Sequence, residues 1–202
     1  MKDRLVATKI SSLALAGLCA TALLGRTAMT SQSKSASQLP SCSSNSLPSE
    51  FRRELETSFS SRKIQEVSNL TARARERWQA EKPQACPGIA VGQFEIPGQS
   101  SYAVLLVPKE NPDSAYTILV FSPNSSHPGA KLSTIDEWDK GGAANDFIHT
   151  ITFAKVFSKE SIRKLSVRAK DGILAVESGE DAYGVEVFFW SKGAYRHEPI
   201  DY

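Results

Sequence analysis

Cysteine, histidine and methionine are scarce in this chain of 202 residues, at three, three and two copies. The scarcity removes much familiar chemistry. Zinc needs clustered His, Cys or carboxylate ligands, whereas His127, His149 and His197 stand far apart, with no HExxH and no CxxC between them. The serines are abundant, yet no GxSxG marks a nucleophile, and no Ser, His and Asp set stands out. Long apolar runs are absent too. The uncharged apolar stretch near the start, Ile10 to Gly25, falls short of the roughly 20 apolar residues that a spanning helix needs. No period of 20–50 residues repeats, which excludes a solenoid or complete propeller. Neither sign of charge dominates, with 24 Lys and Arg against 22 Asp and Glu.

What is present begins with export anatomy. MKDRLVATK is a basic start, ISSLALAGLCATALLG an apolar stretch, and RTAMTSQSKSAS a polar, small-residue segment. This pattern predicts a signal peptide over residues 1–28, removed on export, with an uncleaved signal anchor as the alternative. Cys19 would suit a lipoprotein only if the apolar run ended there, and it does not. A Ser-rich spacer over 29–46 follows, and a single domain is expected over 47–202. Losing residues 1–28 turns the formal charge from +2 to −1, so the basic excess belongs to the leader. An oxidising periplasmic or extracellular compartment leaves Cys42 and Cys86 one intramolecular pairing. A Cys42–Cys86 disulfide is therefore expected, worth roughly 4 kcal/mol in the chain-entropy account.

Periodicity supplies the fold class. Leu47, Phe51, Leu55 and Phe59 recur every four residues, and Leu70, Ala74 and Trp78 share a second helical face ending before Pro83. Beyond Cys86-Pro87-Gly88 the period becomes two. Strands are expected over 89–95, 102–107, 116–121, 149–157, 172–177, 184–190 and 194–198, with a short extended piece over 62–67. Short connections imply antiparallel pairing. The expectation is an α+β fold: two N-terminal helices packed on a mostly antiparallel sheet of about five to seven strands.

The run CPGIAVGQFEIPGQSSYAVLLVP, preceded by LPSEFRRELETSF and RERWQ and closed by VEVFFWSKGAYRHEPID, resembles a loose group of exported bacterial proteins of unknown activity. In that group CPG leads into an aspartate-rich loop akin to an FG-GAP calcium loop, then a YAVLL strand, and the chain ends in an aromatic hairpin. The resemblance implies the fold cue without the metal. Where the pattern carries aspartates, this chain has Gln93, Glu95, Pro97 and Ser101, keeping Phe94, Gly98 and Tyr102. Calcium wants six to eight oxygens and enough carboxylate charge to offset dehydration, which one carboxylate, one amide and one hydroxyl do not supply.

No catalytic, cofactor-binding or metal-ligating residue is therefore assigned, and no cofactor is expected. Asp139 to Asp146 reads as a glycine-rich mobile loop, since it lacks the GK[ST] ending of a phosphate cradle. Ile135, Trp138 and Phe147 flank it, more as core than as contact residues. Tyr195, Arg196, His197 and Glu198 form a polar-aromatic cluster on the terminal hairpin. Arg73, Arg75 and Arg77 read as a solvated helix face, not a nucleic-acid site. Asn69-Leu70-Thr71 and Asn124-Ser125-Ser126 fit a glycosylation pattern that matters only in a eukaryotic secretory pathway. The expected role is non-catalytic: binding or inhibition of another envelope or extracellular macromolecule, without nucleic acid and without stable membrane insertion once the leader is gone. The alternative is an envelope hydrolase assembled from dispersed residues such as His149, His197, Asp136 and serines.

Overall fold

The apolar face of Leu47, Phe51 and Leu55 closes on a strand pair, and the face of Leu70, Ala74 and Trp78 closes on a different one. That division shapes the molecule. The computed structural model describes residues 42–81, 85–123, 130–179 and 183–201. The expected leader, most of the spacer, Pro83, the Asn124 sequence and His127 lie outside them.

Helix α1 (Ser49–Ser58) is followed by β1 (Arg62–Ile64), helix α2 (Ala72–Glu81) and strands β2 (Ile89–Gly92), β3 (Ser101–Pro108), β4 (Tyr116–Pro123) and β5 (Ala130–Trp138). β1 and β2 both pair with β3, and the sheet continues through β4 to β5. A second sheet holds β6 (Asp146–Thr152), β7 (Asp171–Ser178), β8 (Tyr183–Ser191) and β9 (Ala194–Pro199), in that order. Between β6 and β7 run α3 (Phe153–Val156) and α4 (Lys159–Lys164). Every pairing is antiparallel.

Among the described residues the fold is thus α+β and antiparallel, as the periodicity implied, but with nine strands in two sheets. YAVLLV and YTILVF are apolar on both faces because each face has its own partner. Val104, Leu106, Leu119 and Phe121 meet Phe51 and Leu55 of α1, while Ala103, Leu105, Ile118 and Val120 meet Ile148, Ile173 and Phe188 of the second sheet. That sheet turns its other face, with Phe147, Leu174, Val176, Val187 and Phe189, to Ala74 and Trp78 of α2. The order of layers is helix, sheet, sheet, helix. Trp78 is fully buried, as are Phe147 and Phe189.

Two segments depart from the sequence expectation. β5 was not anticipated because AKLSTIDEW mixes polar and apolar residues, as an edge strand can. Its pairing with β4 slips between Ile118 and Leu119, leaving Ile135 as an extra residue that joins the inner cluster. Residues 153–157, expected to prolong a strand, turn into α3. Ser158 then caps α4, its hydroxyl accepting the Ser161 amide at 3.0 Å.

Cys42 and Cys86 sit at disulfide distance, Cα to Cα 5.2 Å, and join the start of the described chain to the CPG turn. Gly88 beside them admits no side chain: a Cβ there would stand 2.6 Å from the Gln65 carbonyl oxygen. This close approach lets Gln65 and Leu105 bond across Gly88, with Gln65 N donating to Leu105 O and Leu105 N to Gly88 O, each at 2.9 Å. No described helix is long and apolar enough to cross a membrane.

Candidate functional site

The inner face of the second sheet changes character along its length. Ile148 on β6, Ile173 on β7 and Phe188 on β8 face the first sheet at mid-height. Moving along each strand toward one end, the same face presents Asp146, Glu177, then Gly184 and Glu186, and on β9 His197. Side chains of one parity share a face. The sheets part at this end and leave a cleft of about 350 Å³, to which the first sheet contributes Tyr116, Asp136 and Trp138.

Local bonds hold these groups. Tyr116 Oη donates to Asp136 Oδ2 at 2.8 Å, and the Trp138 indole N–H donates to Gly141 O at 2.8 Å. His197 Nδ1 lies 2.8 Å from Glu186 Oε2, and its ring stacks on Phe188 with centroids 5.5 Å apart. The Asp139 to Asp146 stretch is not the free loop expected from its glycines. It folds into a 3-10 turn, Ala143–Asn145, tied down from three other segments. Buried Gln65 donates through Nε2 to Ala143 O at 2.7 Å and Asp146 O at 3.3 Å. Asp113 Oδ1 accepts the Ala144 amide at 2.9 Å, and Thr71 Oγ1 bonds Asn145 Oδ1 at 3.1 Å. Thr71 also caps α2, accepting the Ala74 amide.

Crowded carboxylates set the electrostatics. Burial pushes the Asp146 carboxyl up to about 8 from 3.8, with the charges of Glu177, Asp136 and Asp113 adding to the push. At neutral pH Asp146 therefore holds its proton. Burial, the hydrogen bond to Asp136 and the surrounding acids hold the Tyr116 hydroxyl well above the tyrosine range. Among the described residues no Lys or Arg lines the cleft. A cation lies at the rim, where Lys140 Nζ stands 5.3 Å from the centre of the Trp138 ring. Trp138 is 45% exposed.

Of the dispersed residues considered for hydrolysis, Asp136 and His197 both line this cleft, and among the described residues no serine does. His149 is on the opposite face of its sheet, buried under α2, with Nε2 3.2 Å from Glu81 Oε2. Among Ile135, Trp138 and Phe147, only Trp138 is exposed. Ile135 packs inward and Phe147 is fully buried. In the degenerate loop after β2, Gly98 adopts φ 81° and donates its amide to Gln93 Oε1 at 2.6 Å, while Phe94 is fully buried. The loop is fixed by packing and by Asp171, whose Oδ2 accepts the Gln93 amide. Among the described residues no three His, Cys, Asp or Glu converge as a metal site.

Sequence reasoning did not anticipate Asp146, Glu177 and Glu186 as a set. The available signal was parity: each lies two residues from an inward apolar position on its strand, at the same end of the sheet. Comparison with protein-family models, with curated proteins and with solved structures found no match to this chain.

Proposed function

We propose that the chain is an exported binding protein of the bacterial envelope that captures a cationic group displayed by another macromolecule. The observation carrying this reading is the cleft where the sheets part, acidic on four strands and floored by Phe188 and Trp138. A lysine or arginine side chain, or an amine on a polymer, would gain carboxylate contacts and an aromatic face together. Lys140 beside Trp138 already makes half of that arrangement from within the chain. Inhibition of a partner follows if the captured side chain belongs to that partner's own working surface. The Cys42–Cys86 pair fits an oxidising compartment.

Titration of the chain with an oligolysine peptide, read by tryptophan fluorescence, tests the reading. Binding is expected, weakened by salt, weakened about tenfold by Trp138→Ala or Glu177→Gln, and absent with oligoglutamate. Affinity should rise with pH as Asp146 loses its proton near about pH 8, because the cation favours the ionised form. Equal response to both peptides, or no response to either, overturns it.

A second reading has one observation in its favour. Asp146 is protonated at neutral pH in the same cleft as Asp136, and a general acid beside a second carboxylate is the equipment of glycoside cleavage. Release of reducing sugar from an envelope polysaccharide, abolished by Asp146→Asn, would favour hydrolysis over simple capture.

A further inference from the structure

Among the described residues only two non-glycine positions have positive φ, Ser166 at 57° and Lys192 at 52°. Each occupies a place where the backbone ordinarily takes glycine. Ser166 follows α4 in a crossed pair of closing bonds, its amide donating to Arg163 O at 3.1 Å and that of Val167 to Ile162 O at 3.2 Å. In this Schellman ending glycine is the usual residue. Lys192 and Gly193 form the two-residue turn between β8 and β9, with φ 52° and 85°. Asn, Asp or Gly normally stands where Lys192 does. For folding alone, glycine would serve better at both.

The two side chains line one depression of about 700 Å³, with Arg168, Trp190, Ile96 and Pro97 around them. A bridge between Val167 and Ser191, and the Ser191 hydroxyl donating to Leu165 O at 2.6 Å, fix the two backbones side by side. Among the described residues Glu95 is the one acid in the lining, half-buried and set against Tyr195. Lys155, Lys159, Arg163, Lys164 and Lys170 lie on the same connection between β6 and β7 and are exposed. Among the described residues only Lys164 of these has a carboxylate in ion-pair range, Glu160 at 3.0 Å. From position 42 onward the chain has 19 basic and 21 acidic residues, so this positive region is local and set against an acidic whole. It lies some 20 Å along β8 from the acidic cleft, by the rise of a strand over the six residues from Glu186 to Lys192.

We infer that this depression is a second binding site, one that takes an acidic polysaccharide strand across Lys192, Arg168 and Ser166. Sugar carboxylates meet the ammonium and guanidinium, ring hydroxyls meet the Ser166 hydroxyl, and Trp190 with Ile96 and Pro97 gives an apolar wall for a ring face. The aromatic and aliphatic wall favours a sugar chain over a bare polyphosphate. Side chains held in a left-handed conformation that glycine fits better are the kind of local strain that clusters at ligand sites.

Electrophoresis of the full chain through gels containing polygalacturonate, neutral dextran or inorganic polyphosphate tests the inference. Polygalacturonate should retard the protein most, dextran not at all, and salt should relieve the retardation. The double variant Ser166→Gly with Lys192→Gly should melt no lower than the parent while its Kd for polygalacturonate rises about tenfold, and Arg168→Gln should raise it several-fold. Failure of the parent to be retarded overturns the inference, as does an unchanged Kd in the glycine variant. Stronger retardation by polyphosphate overturns the assignment to an acidic sugar. The acidic cleft is assayed with a cationic peptide, so the two sites fail or survive separately.

Discussion

The two ends of the second sheet are made from the same four strands and differ in what their alternate residues carry. At one end β6, β7 and β8 place Asp146, Glu177 and Glu186 on the inner face, and the sheets part around them. At the other end the connections supply exposed lysines and arginines, and two backbone positions suited to glycine hold Ser166 and Lys192. Between them Ile148, Ile173 and Phe188 seal the sheets together. The comparison teaches that one sheet can support two opposite electrostatic surfaces if an apolar belt separates them. A near-neutral total charge then conceals both.

Breaking the belt should have the largest effect. Phe188 is buried between the sheets and supports the His197 ring. Phe188→Ala is expected to cost about 3–5 kcal/mol in urea denaturation. It should also weaken oligolysine binding while leaving polygalacturonate retardation intact in the fraction that folds.

Next in size is the acidic end's own strain. Because Asp146 has a folded-state pKa of about 8 against 3.8, the folded chain holds a proton that the unfolded chain releases. Its favourable contribution is complete below about pH 4 and is lost as pH rises toward about 8. Asp146→Asn removes that loss, so stability at alkaline pH should exceed the parent's by several kcal/mol, with little difference in acid. Denaturation curves at the two pH extremes decide it. A uniform gain would place the effect in packing instead.

The third test acts on what holds the acidic end in position. Gln65 is fully buried and donates to the Ala143 carbonyl of the turn and the Asp146 carbonyl at the start of β6, besides accepting from Asn69 Nδ2 at 3.3 Å. Gln65→Leu leaves those groups without partners and should cost about 2 kcal/mol. Hydrogen exchange should quicken in 139–146 and not in 165–170.

Much of this architecture was legible in the residues. The Leu47, Phe51, Leu55 spacing and that of Leu70, Ala74 and Trp78 mark both long helices, and β3 and β4 declare themselves by apolar runs. What period alone does not say is that a strand apolar on both faces can have a helix on one side and another sheet on the other. One sheet covered by two helices and two sheets each covered by one helix write the same pattern into YAVLLV. β5 is obscured by its bulge at Ile135 and by its edge position. The acidic cleft is obscured because its members come from separate strands, and only pairing register sets Asp146 opposite Glu177 and brings Glu186, opposite Ala175, to the neighbouring level. Cys42 and Cys86 were legible because their number permits a single pairing.

The smallest effect sharpens the comparison most directly, through two tyrosines on either side of the belt. Tyr116 faces the acidic cleft and Tyr195 lies toward the basic end, and both hold their protons above the ordinary tyrosine range. Burial is the first cause for each. The second differs, being the hydrogen bond to Asp136 for Tyr116 and the charge of Glu95 for Tyr195. Spectrophotometric titration should therefore show Tyr116 and Tyr195 failing to ionise until the chain unfolds. Asp136→Asn should lower the resistance of Tyr116 alone, and Glu95→Gln that of Tyr195 alone. Each substitution should leave most of the shift in place, because the larger, desolvation part survives it. If either substitution moves both tyrosines, the two ends share one electrostatic environment, and the apolar belt does not insulate them.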